Sequence, residues 1–348
     1  MKKIAVILLS ILILSACGNK VSKPLKNEPK DKPAEPVVTN LTITFAGDTI
    51  LGTDPSWPYE RNFYGWFNNE AKGDYTYFMN NIKHVFANSD YNIVNFEAPF
   101  TEATEVRHNG YTFKGPADYV KILTSGHIHC ASLANNHFYD FKEPGATDSK
   151  KTLSEAGLDY FGWDDILVKD IKGIKIAFVG FNFVGEPQSP KEDIIKNIEL
   201  AKKANPDYII VFVHHGEEVE YIANKEQQET SHKIIDAGAD ILVGSHPHVP
   251  QGIEKYDNKY IVYSLGNFIF GGNANSKYYW AKKAILAQIN LTFEDNKLKE
   301  EKLKIIPISI TSNDSRNDYR PHVLEGELKT QTFDLINENS INYQYTDY

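Results

Sequence analysis

Apolar and polar positions along the chain follow two periods, one typical of strands and the other of helices. Nearly continuous apolar runs at 174–180 and 208–213 predict strands that are buried on both faces of a sheet. Helices are predicted over 191–204 and 225–237, whereas 41–46 alternates apolar with polar residues like a half-buried strand. Strands that alternate with helices predict an α/β fold with a largely parallel, covered sheet.

Shorter elements are predicted by the same periods and by turn residues. Further strands are expected at 91–99, 128–133 and 241–243, and further helices at 78–86, 116–125 and 148–156. The turn residues Asp257-Asn258 predict a hairpin over 252–264. A second hairpin is expected over 285–308, and the polar stretch that follows position 311 contains a weak helix near 331–337.

The first residues form a separate segment. Lys2-Lys3 precedes an apolar run at 4–13, and small residues lead to Cys17, a pattern that resembles a bacterial lipoprotein signal. The run is shorter than the ~20 apolar residues of a membrane-spanning helix, although a retained anchor stays open as an alternative. We therefore expect lipidation of Cys17 and attachment to the extracytoplasmic face of the bacterial cell membrane.

The stretch that follows the signal has the composition of a flexible tether. Residues 19–40 are rich in Lys, Pro, Glu and Asn and contain few apolar side chains, so they cannot bury enough surface to become ordered. The predicted organisation is a signal peptide at 1–16, a tether at 17–40, one folded domain at 41–310 and a C-terminal tail at 311–348.

Charge and cysteine content exclude some classes of protein. The chain of 348 residues has a formal net charge of −9, which argues against nucleic acid as a partner because phosphate binding relies on clustered Lys and Arg. It contains two cysteines, so the lipidated domain would retain only Cys130 and could form no internal disulfide. A buried core thiol is the preferred interpretation of Cys130.

Polar side chains with metal-ligand chemistry follow the ends of five predicted strands. They are Asp48, Asn95, Glu97, Asn136, His137, His214, His246 and His248. At the carboxyl edge of a sheet such side chains can share one site. Carboxylate, amide and imidazole ligands without thiolates suit divalent Mn, Fe or Zn and argue against a closed structural zinc site. Scattered polar strand ends without a common site are the alternative.

The strand-end motifs together resemble a known family. They are Phe45-Ala46-Gly47-Asp48, Asn95-Phe96-Glu97-Ala98-Pro99, Leu133-Ala134-Asn135-Asn136-His137, His214-His215-Gly216, Asp236-Ala237-Gly238-Ala239-Asp240, Gly244-Ser245-His246-Pro247-His248 and Tyr263-Ser264-Leu265-Gly266-Asn267-Phe268. In this order they resemble the bacterial capsule synthesis proteins of the CapA type, associated with poly-γ-glutamate and similar to calcineurin-like metallophosphoesterases. The resemblance spans about 41–308 and implies a four-layer α/β/β/α sandwich.

The resemblance also implies roles for individual residues. The implied ligands of one or two divalent ions are Asp48, Glu97, Asn136, His214, His246 and His248. His137 would assist the leaving oxygen, and Asn95, His215 and Asn267 are candidate substrate contacts. Ile50 stands where a phosphoesterase commonly has a histidine, and Asn95 and Glu97 replace the usual Gly-Asp. These departures leave the number of ions open.

Two functions follow from this resemblance as alternatives. The first is a metal-dependent hydrolase that acts outside the cell on a phosphoester or a related bond in an envelope polymer. The second is a non-catalytic subunit of a membrane-bound capsule synthesis and export complex, which uses the same cleft to hold an anionic polymer. The implied partners are the membrane through Cys17, an anionic cell-envelope polymer and other capsule synthesis proteins.

Overall fold

Two β-sheets lie face to face in the computed structural model, which describes residues 36–107, 110–270, 279–313 and 315–347. The strands are β1 Val38–Thr49, β2 Tyr91–Phe96, β3 Cys130–Ser132, β4 Asp159–Phe161, β5 Leu167–Ile171, β6 Ile174–Asn182, β7 Tyr208–His214, β8 Ile241–Ser245, β9 Ile253–Tyr256, β10 Lys259–Val262, β11 Asn267–Ile269, β12 Lys283–Glu294, β13 Lys297–Ser309 and β14 His322–Val323. The predicted signal peptide and Cys17 lie outside the described residues.

Seven helices accompany the sheets in the described ranges. They are α1 Phe63–Asn69, α2 Lys83–Ala87, α3 Val120–Ser125, α4 Lys142–Glu155, α5 Asp193–Lys202, α6 Lys225–Asp236 and α7 Gly326–Glu338. None of these helices has both the length and the apolar content needed to cross a membrane. Short 3₁₀ turns at Tyr59–Arg61, Ala117–Tyr119 and Tyr279–Lys282 complete the helical elements.

Each sheet contains a set of neighbouring parallel strands. The first sheet has the order β14-β13-β12-β1-β2-β3-β4, with β11 also paired to β1. In it β1, β2, β3 and β4 run parallel, so their carboxyl ends meet at one edge. The second sheet has the order β5-β6-β7-β8-β10-β9, in which β6, β7 and β8 are parallel.

Alternating side chains on each strand pack into different layers, as the two-residue period of a strand requires. Phe45 of β1 and Phe212 of β7 point into the core between the sheets, where their rings are 6.3 Å apart. Ala46 of β1 faces α1 to α4, and Val211 of β7 faces α5 and α6. The four-layer α/β/β/α sandwich is therefore confirmed.

The structure differs from the sequence prediction at two segments. The helix predicted over 78–86 is reduced to α2, because 74–82 forms successive turns such as Tyr77 N–H to Asp74 O and Met79 N–H to Thr76 O. Asp74 Oδ1 accepts hydrogen bonds from the N–H and the hydroxyl of Thr76, both at 2.8 Å, and this local turn competes with a helix. The segment after 311 contributes β14 and α7 to the same compact unit, which begins at Val37.

Candidate metal centre

The predicted metal ligands converge at the carboxyl ends of strands from both sheets. Asp48 lies near the end of β1, Glu97 follows β2, and His214 is the last residue of β7. Asn136 follows β3 and its Oδ1 accepts a hydrogen bond from His214 Nε2 at 2.7 Å. Two buried triads result, Glu97 with His214 and His246, and Asp48 with Glu97 and His248.

The geometry of both triads fits the size of a metal site. Within each triad, one potential ligand atom per residue lies within 4.8 Å of the others. Glu97 belongs to both triads, so each of the two candidate sites would use its carboxylate. Carboxylate and imidazole donors together suit borderline divalent metals such as Zn, Fe and Mn.

Glu97 has a buried carboxylate that lacks hydrogen-bond partners among the described residues. Its side chain is 0% exposed, and within the described ranges neither carboxylate oxygen accepts a hydrogen bond. His214 Nε2 lies 3.4 Å from Oε1 without hydrogen-bond geometry. Burial and the neighbouring charge of Asp48 raise the pKa of Glu97 well above its usual value. A buried carboxylate in this state costs several kcal/mol unless a cation or donors compensate it, so the residues present fit a metal.

The three histidines differ in their protonation. Burial lowers the pKa of His214 to about 3, and burial with the charges of nearby histidines lowers that of His246 well below its usual value. Burial also acts on His248, but its hydrogen bond to Asp48 and the nearby carboxylates raise its pKa to about 9. The neutral form that metal binding requires is therefore favoured for His214 and His246, whereas His248 would have to lose a proton to bind an ion.

The loop after β8 takes an unusual backbone conformation that directs both of its imidazoles. His246 has φ of 102° and His248 has φ of 59°, values that residues with a Cβ rarely adopt. The N–H of His246 donates to Asp48 Oδ2 at 3.3 Å. Such strain is typical of functional sites, where the surrounding structure holds it in place.

Two side-chain amides form hydrogen bonds with the candidate ligands. Asn95 Nδ2 donates to Asp48 Oδ1 at 2.7 Å and to His214 Nδ1 at 3.1 Å. Asn267 Oδ1 accepts from His248 Nδ1 at 2.9 Å, while Nδ2 donates to the backbone oxygen of His248. The structure thus brings Asn95 and Asn267 into the site as buried partners of ligands, and their predicted substrate contacts stay predictions.

His215 points away from the metal ligands although it neighbours His214. It is 2% exposed, its ring stacks on Tyr263, and its Nε2 donates to the backbone oxygen of Tyr263 at 3.2 Å. It lines a small separate pocket beside Gly216 and Gln227. His215 is not among the residues that line the pocket beside the candidate metal ligands, where a substrate contact was predicted.

His137 lies at the mouth of the centre and is paired with an acid. Its Nδ1 donates to Asp140 Oδ2 at 2.8 Å, and the Asp140 side chain is fully buried. Burial lowers the pKa of His137, but the Asp140 hydrogen bond and charge outweigh burial and raise it. This pairing leaves Nε2 for a substrate. Asp140 was missed in the sequence, where only its position three residues after His137 could have indicated it.

A pocket of about 150 Å³ opens beside the metal ligands. It is lined by Trp57, Tyr111, Phe113, His137, Glu218, His248 and Phe270. The sequence pattern did not identify Tyr111, Phe113, Glu218 or Phe270 as site residues. Tyr111 and Phe113 come from a loop without a recognisable motif, whereas Glu218 and Phe270 each lie two residues beyond a strand-end motif. Ile50, which replaces the phosphoesterase histidine, is buried against Phe113 and Phe270 and so extends the apolar wall behind this pocket.

The sequence of this chain matches the model of a known protein family. The model of the family "Bacterial capsule synthesis protein PGA_cap" matches residues 42–272, which include all six candidate ligands. The chain belongs to this family. PGA_cap membership confirms the resemblance that the strand-end motifs carry.

Curated relatives of the PGA_cap chain are moderately similar to it. It is 28% identical over 332 residues to "Capsule biosynthesis protein CapA" of Bacillus anthracis, which covers 87% of this chain and 74% of that protein. The "PGA biosynthesis protein CapA" of Bacillus subtilis is 30% identical over 252 residues, with 66% and 63% covered. A "Probable polyglutamine synthesis accessory protein" of Mycobacterium tuberculosis is 27% identical over 211 residues, with 52% and 56% covered.

Proposed function

We propose that this PGA_cap protein is a metal-dependent hydrolase of capsule biosynthesis. It would act on a phosphoester or a related bond during the production of an anionic poly-γ-glutamate polymer. The names of the Bacillus relatives support the biological role. The buried cluster of Asp48, Glu97, His214, His246 and His248 supports the metal dependence.

The observation that carries the proposal is the shared, unpaired carboxylate of Glu97. Both of its oxygens are buried without a hydrogen bond in the described part of the chain, and it belongs to both ligand triads. An apolar or amide side chain would occupy this position at lower cost if no cation were bound there. We infer that Glu97, His214 and His246 would hold one divalent ion, and that Asp48, Glu97 and His248 would hold another.

The chemistry divides between the ions and the side chains at the mouth. Divalent ions supply Lewis acidity and make water a stronger nucleophile at neutral pH. His137 Nε2 is placed to donate a proton to the departing oxygen, because Nδ1 is occupied by Asp140. The hydrogen bond and charge of Asp140 favour the protonated form of His137, and the hydrogen bond fixes the orientation of its ring.

We also propose a location at the outer face of the bacterial membrane. The support is the lipoprotein-like pattern that ends at Cys17 and the polar tether before β1. The tether would let the domain reach a polymer at the cell surface while the acyl chains stay in the bilayer. Mass spectrometry of the membrane fraction tests this location through a lipid-modified Cys17, and Cys17→Ala should release the protein from that fraction.

The metal centre is tested by metal analysis joined to an activity screen. We expect purified protein to retain about two equivalents of Mn, Fe or Zn, and His246→Ala to lose at least one of them. His84→Ala removes an exposed histidine on α2 and should leave the metal content unchanged. Metal-loaded protein is then offered an aryl phosphate and poly-γ-glutamate in parallel.

The outcomes separate the two functions derived from the sequence. Cleavage of either substrate that disappears in His246→Ala supports the hydrolase. Negligible metal in the wild-type protein would refute the metal centre. Bound metal without turnover would favour the non-catalytic subunit that holds an anionic polymer. The observation that supports this alternative is the apolar Ile50 at the position where a phosphoesterase commonly has a histidine.

A further inference from the structure

The pocket beside the metal ligands has an aromatic wall, formed by Trp57, Tyr111, Phe113 and Phe270. The wall directly contacts the site, because Phe113 lies 4.8 Å from the ring of His137 and Phe270 lies 4.6 Å from the ring of His248. Trp57 stands edge-on to Phe113 at 5.7 Å and to Tyr111 at 5.8 Å. The Tyr111 side chain is 65% exposed, so the outer end of the wall is open to a ligand.

Outside the candidate metal centre, the charge on the described lining of this pocket is negative. Among the described residues that line it, Glu218 is the one carboxylate, and none is Lys or Arg. Glu218 is exposed, on the loop that follows His214. Lys114 belongs to a neighbouring pocket, donates its Nζ to the backbone oxygen of Ala103 and lies over the ring of Phe141. Among the described residues at this pocket, positive charge is therefore confined to the candidate metal centre, where the ions and the imidazoles of His137 and His248 would attract an anionic group.

Aromatic faces and a carboxylate attract the same kind of ligand group. The faces of Trp, Tyr and Phe carry partial negative charge and bind ammonium groups, with Trp the strongest. A carboxylate in a partly enclosed pocket adds a direct ion pair. Ile50 and Ala98 pack behind Phe113 and Phe270 and are apolar and buried. Their side chains therefore offer no hydrogen bonds to a neutral polar ligand group.

We propose that the aromatic wall and Glu218 form a subsite for an ammonium group of the substrate, whose anionic group lies at the metal ions. This inference rests on the proposed metal centre, because the ions would hold the anionic end. The substrate is then a zwitterion or the amino end of a chain, with a primary ammonium a few bonds from the phosphoester or carboxyl group. A uniformly anionic segment of polymer would not satisfy this subsite.

Calorimetry with matched probes tests the subsite on metal-loaded protein without any need for turnover. Phosphoethanolamine carries both groups, ethyl phosphate lacks the ammonium, and phenyl phosphate presents a neutral ring. We expect phosphoethanolamine to bind about tenfold more tightly than ethyl phosphate, the order of magnitude of one cation–π contact with an ion pair. Equal binding of the two, or tighter binding of phenyl phosphate, would overturn the proposal.

A pair of adjacent carboxylates provides the matched variants. Glu218→Gln should abolish the preference for phosphoethanolamine while the metal content stays that of the wild type. Glu217→Gln should keep the preference, because Glu217 lines the separate pocket near His215 and accepts a hydrogen bond from Asn224. A preference that survives in Glu218→Gln, or is lost equally in both variants, contradicts the assignment to Glu218.

A second measurement separates this subsite from the metal centre. The indole N–H resonance of Trp57, assigned with Trp57→Phe, should shift when ethylammonium chloride is added and not when sodium chloride is added at equal ionic strength. The experiment needs no metal, so it stays decisive if metal analysis refutes the proposed function. Absence of a shift at millimolar ethylammonium overturns the subsite, whatever the metal content.

Discussion

Two neighbouring histidines show how burial and orientation decide the role of a side chain. His214 faces Glu97, Asn136 and His246, whereas His215 faces the backbone of Tyr263 on the opposite side of the strand. Successive residues of a strand point to opposite faces, so two imidazole side chains next to each other in the sequence have different surroundings. Only His214 can reach the other ligands.

The pair predicts a sharp contrast in metal binding. His214→Ala should lose at least one equivalent of metal, because it removes a ligand from the triad with Glu97 and His246. His215→Phe keeps an aromatic ring against Tyr263 and should retain the metal content of the wild type. Plasma mass spectrometry of the two purified variants measures the difference. Loss of metal in both, with both folded by circular dichroism, would show that the assignment to His214 alone is wrong.

Metal binding should depend on pH because ligands must first lose protons. The pKa of His248 is about 9 in the ion-free protein, despite burial, because of its hydrogen bond to Asp48. Below about pH 9 an ion must displace this proton, so the apparent affinity should rise by up to about tenfold per pH unit for each proton displaced. Calorimetry in buffers of different ionisation enthalpy counts the protons. A flat affinity between about pH 6 and 9 would contradict the assignment.

The same shift affects stability without metal. Since the folded pKa of His248 lies above its usual value near 6.5, its protonated pairing with Asp48 contributes fully below that value. The contribution is lost as the pH rises through about 9. Bound metal should remove this dependence, because the ion replaces the proton.

At the level of elements, α6 supports the loop that carries the two distal histidine ligands. It begins with a capping box, in which Asn224 Oδ1 accepts from the Gln227 N–H at 2.9 Å and Gln227 Oε1 accepts from the Asn224 N–H at 3.0 Å. Gln227 Nε2 then donates to Gln251, just after the His-x-His loop. The start of α6 is thereby tied to the segment that follows His248.

Removing the cap should therefore lower stability by a definite amount. Asn224→Ala is expected to reduce the free energy of unfolding by about 1 kcal/mol, because the Gln227 N–H at the start of α6 loses Asn224 Oδ1 as its acceptor. Asn224→Ser keeps an acceptor for the Gln227 N–H and should lose clearly less. Urea unfolding followed by circular dichroism compares the two. Equal midpoints for the Ala and Ser variants would argue against a capping role.

At the scale of the whole molecule, the C-terminal segment closes the core between the sheets. Ile336 of α7 is fully buried in the inter-sheet cluster, together with Tyr345, whose hydroxyl accepts from the Ile305 N–H at 3.1 Å. The N–H of Ile341 donates to Ile253 O on the other sheet. The segment therefore contacts both β13 and β9.

This closure predicts different costs for two substitutions on one helix. Ile336→Ala should lower the free energy of unfolding by about 2–5 kcal/mol, because it removes fully buried methyl groups and leaves a cavity. Leu328→Ala lies on the same helix, where Leu328 is 38% exposed, and should cost under about 1 kcal/mol. Urea unfolding of both variants provides the comparison, and similar losses would show that α7 does not seal the core.

The sequence was sufficient to predict the layered fold and to group most of the candidate metal ligands. Strand and helix periods are local properties, and they correctly indicated the buried strands β6, β7 and β8 and the long hairpin β12–β13. Polar residues that follow apolar strands mark the carboxyl edge of a parallel sheet, so Asp48 and His246 could be grouped before any distance was known. The helix predicted over 78–86 failed where side-chain hydrogen bonds favoured turns.

Only the tertiary structure decided how those residues act together. The N–H of His246 contacts Asp48 across 198 positions of sequence, and no local period encodes that distance. The shared position of Glu97, the proton on His248, the orientation of His215 and the aromatic wall with Glu218 all depend on burial and on approach between separate strands and loops. The sequence thus determines which ligand types are present. The protonation of these side chains and their division into two triads depend on how the strands and loops pack together.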